Sequence, residues 1–148
     1  ATPGIEPVAE RTKRQATDAL RAARIVEIGT PAFITEWLQQ PMFAHLSDEQ
    51  SAKFQRFENS AEGLAMSLRH CGVGAQESLW DRLSTLRMPV LVIAGTNDEK
   101  YTAIGERMVA AIGSNARFVN IEGGHAVHVE NPTVTAAVVA SWGSQLGG

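Results

Sequence analysis

The sequence predicts an α/β fold built on a mostly parallel sheet, with a long helical region ahead of it. Three observations carry this. Residues 90–94, Val-Leu-Val-Ile-Ala, form a continuous apolar run without alternation, which is how a strand buried on both faces reads. From residue 89 onward the order is strand, helix, strand, loop, helix, the closing βαβα portion of a doubly wound sheet. An acidic loop follows the first strand and a glycine–histidine loop follows the second, at the strand ends where such sheets gather functional groups.

The elements follow in order. Residues 6–28 are charged and rich in Ala and Arg, and Ala16, Ala19, Leu20, Ala23 and Val26 recur at helical spacing. Gly29 ends this helix and Pro31 starts the next, which carries Phe33, Ile34, Trp37 and Leu38 until Pro41 breaks it. Ser47-Asp48-Glu49-Gln50 offers a capping box for a helix through Phe54 and Phe57. Asn59 or Ser60 caps a further helix with Leu64, Met66 and Leu68, closed by Gly72 and Gly74. A last helical turn over residues 77–86 sets Leu79, Trp80, Leu83 and Leu86 on one side. After the strand at 90–94 comes an amphipathic helix over 101–112, with Ile104, Met108 and Ile112 inward, and a second strand over 117–121. Asn131-Pro132 then supplies an N-cap and N1 proline for a helix ending near Leu146. Two strands that each call for burial on both faces do not make an independent sheet, so the remaining strands are expected from a preceding segment or a second chain.

Composition narrows the function classes. With 148 residues, 44% hydrophobic and 20% charged, the chain is a globular protein of one ordinary domain's size. A net charge of -3, from 16 acidic and 13 basic residues, gives no drive toward nucleic acid or an anionic membrane. No apolar run approaches the ~20 residues of a membrane-spanning helix. Ala1-Thr2-Pro3-Gly4 has neither the basic start nor the apolar stretch of a signal peptide. Cys71 is the single cysteine, which excludes an internal disulfide and a cysteine-cluster metal site and leads us to expect a cytoplasmic location.

Two loops hold candidate chemistry. In Gly95-Thr96-Asn97-Asp98-Glu99-Lys100, Asp98 could orient a histidine; equally, Asn97-Asp98 could turn the chain and cap the next helix. In Gly123-Gly124-His125-Ala126-Val127-His128, the glycines let the backbone approach a ligand closely, and His125 can exchange a proton near neutral pH. The alternatives there are an exposed loop histidine or a metal ligand paired with His128, although a lone His-x-x-His lacks the third protein ligand of catalytic zinc. Taken together, an acid after one strand and a histidine after the next stand in the order Ser…Asp…His.

At this point a family resemblance emerges. Gly95-x-x-Asp98 after a hydrophobic strand, then Gly123-Gly124-His125-x-x-His128-x-Glu130-x-Pro132, resembles the closing part of the α/β-hydrolases over residues 86–146. Thr2-Pro3-Gly4-Ile5, Ala9-Glu10-Arg11, the run from Trp37-Leu38-Gln39-Gln40 to Pro41-Met42-Phe43-Ala44, and Asp98-Glu99-Lys100-Tyr101 resemble the MenH branch. Its members are the 2-succinyl-6-hydroxy-2,4-cyclohexadiene-1-carboxylate synthases of menaquinone biosynthesis.

The resemblance implies the C-terminal portion of an α/β-hydrolase fold. Residues 1–85 would form the helical cap and its connection back, and residues 86–148 the last strands and helices of the core, completed by missing or partner polypeptide. It implies Asp98 and His125 as the triad acid and histidine. Arg14, Trp37 and Arg56 match substrate-binding cap positions, and arginines suit a substrate rich in carboxylates. It implies a pyruvate-eliminating lyase without metal or organic cofactor, acting on a small carboxylate substrate and not on nucleic acid or a membrane. The alternatives are a serine carboxylic-ester or thioester hydrolase, which would use the same triad, and a non-catalytic fragment or subunit. No serine here has Gly-x-Ser-x-Gly flanks, so the nucleophile elbow is expected on an N-terminal half, covalent or separate. The chain alone is expected to be inactive.

Overall fold

A computed structural model describes residues 2–44 and 46–146; Ala1, at the head of the amino-terminal tetrapeptide, lies outside the described residues. The described residues divide into two compact units, 2–40 with 47–81, and 41–44 and 46 with 82–146.

The first unit is helical. Helix α1 (Val8–Ile28) and helix α2 (Thr30–Leu38) meet at Gly29, with Pro31 in the first turn of α2. Its core is Ile25, Phe33 and Ile34, with Leu38, Phe57, Leu64 and Leu68 packed around them. The helix over α1 forms as the sequence predicts, but on a different face. Asp18, Ala22 and Ile25 are buried, whereas Leu20 and Val26 are exposed and so are Ala16, Ala19 and Ala23. An apolar stripe cannot reveal the buried face here because that face contains a carboxylate, neutralised by Arg14 and Arg21 one turn away on either side.

Ser47 and Gln50 form the reciprocal capping box: the Gln50 N–H donates to Ser47 Oγ at 3.0 Å and the Ser47 N–H donates to Gln50 Oε1 at 3.1 Å. It closes a turn rather than opening a continuous helix. Ala52 adopts φ 51°, a left-handed conformation that interrupts helical propagation, and helix α3 (Lys53–Phe57) follows it. Ser60, of the two possible caps, accepts the Gly63 N–H and starts helix α4 (Ala61–Cys71). The last helical turn is a 3₁₀ helix, Trp80–Thr85. The Trp80 indole donates to the Gly4 carbonyl at 3.1 Å, tying the start of the chain to this segment.

The second unit holds strand β1 (Val90–Gly95), helix α5 (Glu99–Ile112), strand β2 (Ala116–Ile121), the one-turn helix α6 (Val127–Glu130) and helix α7 (Pro132–Ser144). The strands pair in parallel from Val90 opposite Ala116 to Gly95 opposite Ile121. Helix α5 packs on both strands. The expected burial of β1 on both faces is not met within the chain: only Ala94 and Gly95 are buried, and the other four residues are half-buried. Among the described residues β1 has β2 as its one strand neighbour, and a groove of about 360 Å³ lies between Leu91 and Val119 of the sheet and Val134, Val138 and Trp142 of α7. Among the described residues no helix is long and apolar enough to cross a membrane.

Candidate active site

The site is built at the carboxyl ends of the two parallel strands. The acid loop leaves β1 and the histidine loop leaves β2, and backbone hydrogen bonds hold the two together. The Thr96 N–H donates to the Ile121 carbonyl and the Asn97 N–H to the Gly123 carbonyl, each at 2.9 Å. This seam requires glycine at residue 95. A Cβ there would lie 2.1 Å from the Gly124 carbonyl oxygen and 2.4 Å from that of Gly123. Gly123 itself takes φ 146°, a conformation that side chains rarely adopt.

The two readings of Asp98 hold at once. Its Oδ1 accepts the Tyr101 N–H at 3.3 Å and caps α5, while Oδ2 lies 2.6 Å from His125 Nδ1. A carboxylate only accepts, so Nδ1 is the donor in this contact and Nε2 is the ring nitrogen left to exchange a proton. The Asp98 side chain is 15% exposed and that of His125 30%. The pair is therefore shielded from bulk screening, yet the imidazole remains reachable. The Tyr101 ring lies 4.6 Å from the His125 ring, tilted by 57°, and limits its rotation from one side. Such an arrangement can take a proton from a hydroxyl at Nε2 and stabilise the imidazolium that results. His128 is exposed on α6, and among the described residues no three His, Cys, Asp or Glu side chains are grouped to hold a metal ion.

The three cap candidates lie in the first unit. The Arg14 Nε donates to both oxygens of Asp18, at 2.9 and 2.8 Å. Arg21 reaches the same carboxylate at 3.3 Å, and its guanidinium lies 5.1 Å from the centre of the Trp37 ring. Trp37 stacks on Phe33 at 6.0 Å. Arg14 and Trp37 are thus joined through Asp18 and Arg21 into one chain of contacts, with two guanidinium groups sharing one buried carboxylate. Arg56 is held separately: its Nε donates to the Ser51 carbonyl at 2.7 Å. Sequence reasoning missed Asp18 and Arg21. The i,i+4 and i,i+3 spacing of Arg14, Asp18 and Arg21 was the available signal.

No family model matches the chain. It is 34% identical over 146 residues to a putative 2-succinyl-6-hydroxy-2,4-cyclohexadiene-1-carboxylate synthase of Bacillus subtilis (strain 168), covering 95% of this chain and 53% of that protein. It is 32% identical over 141 residues to the synthase of that name from Escherichia coli O7:K1, covering 94% and 53%. Among solved structures, MenH from S. aureus superimposes with a TM-score of 0.92 at 29% identity, over 99% of this chain and 57% of that one. A hydrolase from Pseudomonas aeruginosa PA01 superimposes at 0.58 with 24% identity, a likeness of fold. The chain spans about half the length of the curated relatives it matches.

Proposed function

We propose, for a chain that has the fold of the C-terminal portion of an α/β-hydrolase and resembles the MenH synthases along nearly its whole length, that it carries the acid–base half of such a synthase. The single observation behind this is the 2.6 Å contact between Asp98 Oδ2 and His125 Nδ1 at the ends of adjacent parallel strands. In this reading the helical unit is the cap and the strand-bearing unit belongs to the catalytic core. A serine on a Gly-x-Ser-x-Gly elbow outside these 148 residues completes the triad. Support comes from the share of the relatives that the chain spans and from the half-buried faces of β1.

His125 Nε2 takes the serine proton, and Asp98 holds the ring and balances the imidazolium charge. The activated serine then removes a proton from the substrate ring, the ring C–O bond breaks to expel pyruvate as its enolate, and the imidazolium gives its proton to that enolate. Arg14 contributes the guanidinium nitrogens that Asp18 leaves open, Trp37 an apolar wall, and Arg56 a further cation for substrate carboxylates. We further infer action in the cytoplasm and inactivity of these 148 residues by themselves.

The test supplies the pyruvate-bearing precursor of the cyclohexadiene product to the complete enzyme and follows pyruvate. Release that disappears in a His125→Ala variant is expected. Ester hydrolysis without pyruvate release would move the assignment to a serine ester or thioester hydrolase, which the same triad serves.

A further inference from the structure

Beyond the triad pair, the histidine loop has its own carboxylate. Glu130, at the end of α6, is half-buried and turned back toward the loop. Its Oε2 accepts the Gly124 N–H at 2.7 Å and its Oε1 accepts the Ala126 N–H at 3.1 Å. These are the two backbone donors on either side of His125. The link is closed by the Glu130 N–H, which donates to the Ala126 carbonyl at 3.0 Å. The Gly-Gly pair makes room for it: a Cβ on Gly124 would lie 3.0 and 3.2 Å from the two Glu130 oxygens. The close approach that these glycines permit is thus to a side chain of the protein itself.

We propose that Glu130 is a positioning residue that clamps the His125 loop. Two charge-assisted hydrogen bonds fix the backbone on both sides of the histidine. From the opposite direction the acid loop fixes the same backbone through the Asn97 N–H on the Gly123 carbonyl. The imidazole is held at Asp98 because its main chain cannot turn. Glutamine at residue 130 offers one acceptor where two donors converge and sets its own NH₂ against the other N–H. Aspartate keeps the charge but falls short of one donor. The inference rests on Asp98 and His125 being the catalytic pair.

The experiment uses the complete enzyme with Glu130→Gln and Glu130→Asp. It reads the rate of serine labelling by an activated phosphonate ester, kcat and KM for pyruvate release, and the downfield proton resonance of His125 Nδ1. The clamp predicts that labelling and kcat fall together in Glu130→Gln by about 10–100-fold. KM should stay unchanged and the downfield resonance broaden or disappear, with Glu130→Asp intermediate. If Glu130→Gln does not fold, the same ordering is read between Glu130→Asp and the parent. Unchanged labelling, turnover and resonance in the folded variants would overturn the clamp alone. A parent enzyme with neither serine labelling nor the downfield resonance would overturn the catalytic-pair reading, and the clamp with it.

Discussion

Replacing Gly95 by alanine separates the geometry of the pair from its chemistry, since no catalytic atom is altered. The new Cβ would stand 2.1 and 2.4 Å from the carbonyl oxygens of Gly124 and Gly123, more than an ångström inside ordinary van der Waals contact. Both obstacles are backbone, and they belong to the loop that carries His125. Relief therefore moves the histidine loop away from the acid loop and stretches the 2.6 Å contact between Asp98 and His125 beyond hydrogen-bonding range, about 3.2 Å. Overpacking of this kind costs about 1–3 kcal/mol of stability, and a displacement of about 1 Å at a catalytic group costs about 100-fold in rate. The assay is steady-state pyruvate release by the complete enzyme, paired with thermal melting. The expected result is a kcat about 100 times lower in a protein that still melts cooperatively. A Gly95→Ala enzyme with parental kcat would show that the two loops do not need the spacing that glycine permits.

Asp98→Asn should keep the helix cap, since an amide oxygen still accepts the Tyr101 N–H, yet lower kcat by about 10⁴-fold through loss of the tautomer-fixing carboxylate; melting and turnover measured together check this. Asp18→Ala leaves the Arg14 and Arg21 guanidinium groups without their shared partner. With both arginine side chains about one-third exposed, solvent screening limits the loss to about 1–2 kcal/mol, read by urea denaturation, and KM should rise more than kcat falls. Gly143→Ala, near the end of α7 with nothing within 4 Å of the new Cβ, should raise stability by about 0.5–1 kcal/mol without touching turnover, which a thermal melt records.

Much of the second unit was legible in the sequence because its signals are local. A continuous apolar run gave β1, and Asn131-Pro132 gave the start of α7 at Pro132. The order of Asp98 and His125 after successive strands gave a pair that is in contact. What escaped depends on contacts that periodicity does not encode. The buried face of α1 contains Asp18, which reads as polar until its two arginines are seen. Ala52 breaks the third helix through a positive φ that no residue preference announces. The short helix α6 turns Glu130 back onto the loop preceding it, where the sequence shows only a Glu a few residues after a His. The half-burial of β1 also departs from its apolar run; under the function proposed above, strands of the complete enzyme cover the faces left open.

Whether the triad is shared with a serine-bearing segment is tested by comparing this 148-residue chain alone with the same chain joined to, or mixed with, a polypeptide bearing Gly-x-Ser-x-Gly. Mass spectrometry fixes the content of each sample and pyruvate release is the readout. No turnover is expected from a sample holding only the 15.9 kDa species, and turnover is expected when the serine-bearing polypeptide is present. Pyruvate released by the 15.9 kDa species alone would contradict a shared triad.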